Sequence, residues 1–402
     1  MLNLRLTHWR ATLAATAAIG ATALLVACGG GGEEAATTVV TPAAATTYTQ
    51  GAISGFGSVI VGGVRFDDSL ATVADDDGNA KTRSDLKLGM MVEVDAGTVN
   101  RSAATAAALA IRLYFTEIVG PVGTIDTVAS TVKVLGQTVL VTTSTIFDAS
   151  LSGGLTALTA GAVVEVHGIL DTANARIVAT RIEPKAGALA FKLRGAITAL
   201  DTTTKTFKIN GEVISYASLP SGNVPPGLTN GQIVRVLLQT TKVGGVWVAT
   251  GLRGGLRLPE ARREAHVEGV ITVFTTGTNF EINGLKVDAA NASFPDGTTG
   301  IVLGAHVEVE GTVTGGVLVA TKVEIEERHN QGLREWELHG DMSNLSITDK
   351  TFALRGVTVW YGGTVEFRGG TAATLANGKR VEVKGVLSTD RTRLEARRIS
   401  FE

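Results

Sequence analysis

The feature that most constrains this chain is a period. A Gly-x-hydrophobic element recurs as Gly51-Ala52-Ile53, Gly123-Thr124-Ile125, Gly195-Ala196-Ile197, Gly269-Val270-Ile271 and Gly340-Asp341-Met342, with steps of 72, 72, 74 and 71 residues between glycines. A second element, Leu-x-x-Gly-x-x-Val-x-Val, recurs around Gly89, Gly161, Gly231, Gly304 (with Ile301 for Leu) and Gly378, with steps of 72, 70, 73 and 74. Two markers holding one period four times over make the chain a tandem array of modules.

Between the markers each copy carries a hairpin. Phe207-Lys208-Ile209-Asn210-Gly211-Glu212-Val213 and Phe280-Glu281-Ile282-Asn283-Gly284-Leu285-Lys286-Val287 place Asn-Gly between alternating apolar residues, and the other copies use Gly62-Gly63, Leu135-Gly136 and Arg355-Gly356 there. Such pairs suit the tight turn whose two central residues need positive φ. A further strand closes each copy around an alanine, marked at Ala110, Ala179, Ala249, Ala320 and Ala396. Each unit thus reads as five strands, with Val92 and Val94 facing a core and Glu93 facing water. Closure into a barrel removes two unpaired edges. The expected fold is all-β: a tandem array of five small five-stranded OB-like or SH3-like barrels, over residues 50–118, 119–187, 190–256, 264–328 and 335–402. A unit of about 65 residues is marginal alone, so neighbours are expected to pack along a string of barrels.

Ahead of the array, residues 1–27 read as a signal peptide, with Arg5 and Arg10 before an apolar run from Ala11 to Val26. That run is 16 residues, shorter than the ~20 a membrane-spanning helix needs. It ends in Leu25-Val26-Ala27-Cys28-Gly29, which resembles the lipobox of bacterial lipoproteins. The resemblance implies cleavage before Cys28, acylation of Cys28, and a lipid-anchored protein of the cell envelope; Gly29 after the cysteine favours the outer membrane. Residues 28–49, rich in Gly, Ala and Thr, read as a flexible tether.

The repeat itself resembles a bacterial lipoprotein family built from domain of unknown function 5666. The first copy carries the closest match, Gly51-Ala52-Ile53-Ser54-Gly55-Phe56-Gly57-Ser58-Val59-Ile60-Val61-Gly62-Gly63, followed by Leu86-Lys87-Leu88-Gly89-Met90-Met91-Val92-Glu93-Val94. The resemblance covers most of residues 50–402 and implies an envelope location and an OB-like fold; it brings no activity.

Chemistry is sparse. A formal charge of −2 and 5% aromatic residues over 402 residues lack the basic footprint of a nucleic-acid binder, so no nucleic-acid partner is expected. One cysteine excludes a disulfide framework and a cysteine-based metal cluster. His8, His167, His266, His306, His329 and His339 fall at different phases of the repeat, without metal-site spacing. The loop Asp75-Asp76-Asp77-Gly78-Asn79 lacks the Gly and Glu of an EF-hand and reads as a solvated turn. Glu93, Glu165, Glu308 and Glu382, with Arg235 in the third copy, hold the middle of Val-x-Val and read as a solvated strand face. Trp247 reads as core. Trp360 and Tyr361, near Arg391, Arg393, Arg397 and Arg398, are the candidate ligand-binding residues, since OB ligands meet the β2–β3 face. No catalytic residue, cofactor or metal site is assigned. The expected function is a non-enzymatic binding or scaffold module with an envelope protein or glycan as partner. The alternative is an envelope polysaccharide-processing hydrolase with an inter-barrel site.

Overall fold

The computed structural model describes residues 45–402 apart from 115, 256–258, 260, 283 and 326–335. Cys28, the signal peptide, most of the tether and His329 lie outside the described residues. The first barrel comprises β1 (Thr47–Phe56), β2 (Val59–Val61), β3 (Val64–Asp67), a short hairpin of β4 (Thr72–Asp75) and β5 (Ala80–Lys81), then β6 (Met91–Ala96) and β7 (Thr105–Leu113). The second comprises β8 (Thr116–Asp126), β9 (Thr131–Val134), β10 (Gln137–Phe147), β11 (Val163–Asp171) and β12 (Arg176–Pro184). The third has a first strand broken into β13 (Phe191–Ala196) and β14 (Thr198–Asp201), then β15 (Thr206–Ile209), β16 (Glu212–Ser215), β17 (Ile233–Leu238) and β18 (Trp247–Gly254). The fourth comprises β19 (Arg262–Thr276), β20 (Asn279–Ile282), β21 (Leu285–Asp288), β22 (His306–Thr314) and β23 (Val317–Ile325). The fifth comprises β24 (Trp336–Asp341), β25 (Ser343–Ser346), β26 (Thr351–Leu354), β27 (Val357–Trp360), β28 (Glu366–Arg368), β29 (Arg380–Leu387) and β30 (Arg393–Phe401).

One cycle of pairings recurs in all of them. In the first barrel β1 pairs β2, β2 pairs β3, β3 runs parallel to β7, and β7 pairs β6, which returns to β1. The order 1-2-3-5-4 closing on strand 1 is the OB arrangement rather than an SH3-like one. The second and fourth barrels repeat it strand for strand, as do the third and fifth with their broken first strands. The hairpin turns have the expected backbone: Gly62 and Gly63, Leu135 and Gly136, Asn210 and Gly211, and Arg355 and Gly356 all have positive φ.

The two repeat markers turn out to be halves of one contact. The glycine of Leu-x-x-Gly lies in the left-handed region, at φ +78° for Gly89 and +82° to +87° in Gly161, Gly231, Gly304 and Gly378. Its N–H donates to the carbonyl of the buried apolar residue of strand 1, Ile53, Val122, Ile197, Ile271 or Met342, at 2.7–2.9 Å. That residue's N–H donates back to the residue after the glycine. This contact corrects the phase of the second copy. Gly161 reaches Val122, so the structural equivalent of Gly51-Ala52-Ile53 is Gly120-Pro121-Val122, three residues before Gly123-Thr124-Ile125. Likewise the buried alanine preceding the bulge of the closing strand is Ala108 in the first copy, not Ala110.

The barrels form a cluster, not a string. β1 pairs in parallel with β19 of the fourth barrel through Thr47–Gln50, and with β24 of the fifth through Gly55 and Phe56. β8 and β13 join the second barrel to the third. The cores fuse accordingly: barrels 1 and 5 share one hydrophobic cluster, barrels 2 and 3 another. Ala52, Met91, Ile169 and Val270 make a small apolar junction where barrels 1, 2 and 4 meet. Alternation explains the barrels, since all ten valines of Val-x-Val are at most 2% exposed. It does not explain the cluster, which depends on the outward faces.

Candidate binding cavity between the first three barrels

Outward from a barrel is here seldom outward to water. Of the residues in the middle of Val-x-Val, Glu93 is fully buried, Glu165 and Arg235 are buried, and Glu308 and Glu382 are half-buried. The expected solvated strand face is instead an inter-barrel face, because a neighbouring barrel occupies the space the side chain points into.

The acidic loop is corrected in the same way. The β4–β5 hairpin carries Asp76 and Asp77 into the third barrel, where Asp76 meets Arg235 at 2.8 Å, Lys192 at 3.0 Å and Arg194 at 3.4 Å. Asp77 pairs with Arg235 and with Arg253 at 2.9 Å. Arg194 also donates to the carbonyls of Tyr114 and Gly255 and lies 4.6 Å from the centroid of the Tyr114 ring. Arginines and a lysine fill the positions a cation would take. Burial pushes the Asp77 carboxyl up, but Arg235 and the other cations outweigh it and hold it below its ordinary range.

Beside this plug, barrels 1, 2 and 3 enclose a cavity of about 400 Å³. Glu165, His167 and Glu183 form one wall, while Lys87, Lys185 and Lys192 come from the surrounding elements. Strand pairing sets that wall: Val164 and Val166 of β11 point into the barrel, so Glu165 and His167 point out, and Glu183 of β12 stands directly opposite Glu165. Glu183 accepts from Lys87 at 2.8 Å and from the Arg181 Nε at 2.9 Å, and Glu165 pairs with Lys185. His167 is 1% exposed, neither ring nitrogen has a hydrogen-bond partner among the described residues, and its Nε2 lies 3.7 Å from Glu165 Oε1. Burial holds the imidazole below its ordinary pKa despite the two carboxylates. Burial alone would raise Glu165 and Glu183; the cations opposite, Lys185 for the first and Arg181 with Lys87 for the second, hold both carboxyls down.

A second histidine cluster fastens barrel 5 to barrel 1. His339 Nε2 lies 2.7 Å from Glu337 and Nδ1 2.5 Å from Glu402, while Arg65 of barrel 1 bonds Glu337 and approaches His339 at 3.2 Å. Burial would lower the His339 pKa, but the hydrogen bonds to Glu337 and Glu402 raise it. In barrel 4, His266 pairs with Glu308, and His306 lies 3.4 Å from Glu268. The four described histidines differ in phase, as the sequence says, yet each stands on an outward face against carboxylates. Only the strand register, absent from a linear search, brings them together.

Trp360 and Tyr361 stand at the end of β27, and both are half-buried. Tyr361 packs on Phe352 with ring centroids 5.9 Å apart and reaches Ser346 O at 3.5 Å. Trp360 lies under the Arg393 guanidinium, 5.1 Å from its ring centroid. They flank each other in sequence, but Tyr361 is turned to the core side and Trp360 to a basic neighbour. Trp247 is buried beside Phe191 and donates its Nε1 hydrogen to Glu212 at 2.9 Å.

A family model described as domain of unknown function (DUF5666) matches the chain four times, over residues 50–107, 119–183, 268–324 and 343–400. Among curated proteins none matches. Among solved structures the chain is similar to one titled "drosophila Unr CSD456", at 14% identity, covering 52% of this chain and 96% of that one with a TM-score of 0.13. The expectation that nucleic acid is no partner is corrected here. Net charge, on which it stood, averages over surfaces as different as the Asp75–Asp77 loop and the arginines of β30.

Proposed function

The chain belongs to the DUF5666 family, whose name assigns no activity, and from that premise we propose a lipid-anchored envelope protein that works as a non-enzymatic binding scaffold. The observation that carries this reading is the cavity of about 400 Å³ between barrels 1, 2 and 3. Cys28 is the proposed anchor and residues 28–49 the proposed tether.

The hydrolase reading has one specific point in its favour. Glu165 and Glu183 share a cavity wall, and oxygens of the two lie within 4.8 Å, near the ~5–5.5 Å carboxyl separation of a retaining glycosidase. Retention also needs a general acid, a carboxyl held protonated near neutral pH. Both groups here are shifted the other way, below their ordinary pKa. The pair is built to stay charged, which suits holding a ligand rather than protonating a leaving group.

Two measurements test the proposal. Cells expressing the Cys28→Ser chain should release it from the membrane fraction, and unchanged membrane association would reject the anchor. Envelope polysaccharide incubated with the wild-type chain should yield no more reducing ends than with Glu183→Gln. Reducing ends formed by the wild type and lost in the variant would replace binding with hydrolysis.

A further inference from the structure

His167 occupies its place without a structural reason. An imidazole with both nitrogens buried and unpartnered keeps the desolvation cost of two polar groups without repayment, and a leucine there would cost nothing of the kind. Its separation of 3.7 Å from Glu165 is too long for a hydrogen bond. Metal–nitrogen and metal–oxygen bonds of ~2.0–2.2 Å put two ligands of a tetrahedral ion roughly 3.4 Å apart, so the pair stands near the edge of such a tetrahedron. One donor atom from each of Glu165, His167 and Glu183 lies within 4.8 Å of the others.

We propose that Glu165, His167 and Glu183 form a site for a divalent cation of the zinc class, with its fourth position open to the cavity between the first three barrels. One imidazole and two carboxylates form a nitrogen–oxygen donor set that zinc accepts, and three protein ligands leave one position for water or a bound molecule. The cations now at the site do not block it. Lys185 is 47% exposed along its side chain and can withdraw into solvent from Glu165. Arg181 and Lys87 both hold Glu183 through Oε2, and a carboxylate has a second oxygen. The proposal deepens the reading of the cavity as the binding site and rests on it.

The test uses the full chain, stripped with chelator, and Co²⁺ as the probe. The wild type should take up one equivalent with the intense visible absorption of tetrahedral cobalt, displaced by Zn²⁺. His167→Leu should abolish that spectrum while leaving the metal-free chain as stable as the wild type or more so, because it removes an unsatisfied buried group. Glu165→Gln should weaken uptake by more than the roughly 10–100-fold that loss of an outer supporting group costs. Lys185→Met, which removes the competing ammonium, should tighten it. A wild type without the spectrum, or a His167→Leu chain that keeps it, overturns the site. Failure is separable from failure of the wider reading. Absence of cobalt uptake, with no Glu183-dependent release of reducing ends, removes the metal and leaves binding. Cobalt uptake accompanied by such release keeps the metal and removes the non-enzymatic reading.

Discussion

Gly89 and Gly161 hold the same place in two barrels and differ in what a methyl group would meet. Both adopt the left-handed backbone, which costs an ordinary residue about 1–2 kcal/mol. A Cβ at 161 would have nothing within 4 Å, whereas a Cβ at 89 would lie 2.6 Å from the carbonyl oxygen of Thr180 in barrel 2. Gly161→Ala should therefore cost roughly the conformational term alone. Gly89→Ala should cost that plus a displacement of barrel 2 from barrel 1, straining the Arg181 bond to Leu88 O at 3.2 Å. Urea midpoints of the two variants check this, and equal shifts would contradict it. The glycine was legible in the sequence as a repeat marker. Its partner was not always so, because Gly120-Pro121-Val122 and Gly123-Thr124-Ile125 fit one pattern equally well, and only the backbone bond from Gly161 to Val122 separates them.

The β4–β5 hairpin shows what an element can do beyond its own barrel. Its Asp76 is buried against three cations of barrel 3. Removing one partner of a buried ionic group commonly costs about 3–5 kcal/mol, because the remaining charges are left without compensation. Asp76→Ala should loosen barrel 3 from barrel 1 while its shared core with barrel 2 remains, lowering the calorimetric transition temperature. A single transition at the wild-type temperature would show that the hairpin is not what holds barrel 3. Strand alternation made the inward residues readable, down to the valines of Val-x-Val and the hairpin turns. It says only that Asp76, Glu93, Glu165 and Arg235 leave their own barrel or loop, and nothing about a neighbour waiting there. His167 is illegible as a site in the sequence for this reason: Glu183 faces it only across a strand register, on β12, and the cavity beside it is completed by residues of other barrels.

At the scale of the molecule, barrel 1 is the hub. It shares strand pairing with barrels 4 and 5, the cavity and the Arg181 contact with barrel 2, and the acidic plug with barrel 3. Residues 45–402 should scatter as a compact body, with a radius of gyration on the order of 20–25 Å by globular scaling. A profile extending well beyond that would restore the in-line arrangement read from the sequence. The tandem repeats announce how many modules there are; the order in which they meet is written in outward side chains that a repeat comparison averages away.

The dependence of β1 on distant partners sets a timetable. Thr47 meets Glu264, 217 residues later, so at about 5–20 residues per second of synthesis one flank of the earliest strand stays open for roughly 10–40 s. During that interval its bare amides and carbonyls are a template for any other extended segment. The first strand of the first barrel is completed only once the fourth and fifth barrels have been made, and a growing chain of this design has reason to be chaperoned until they arrive.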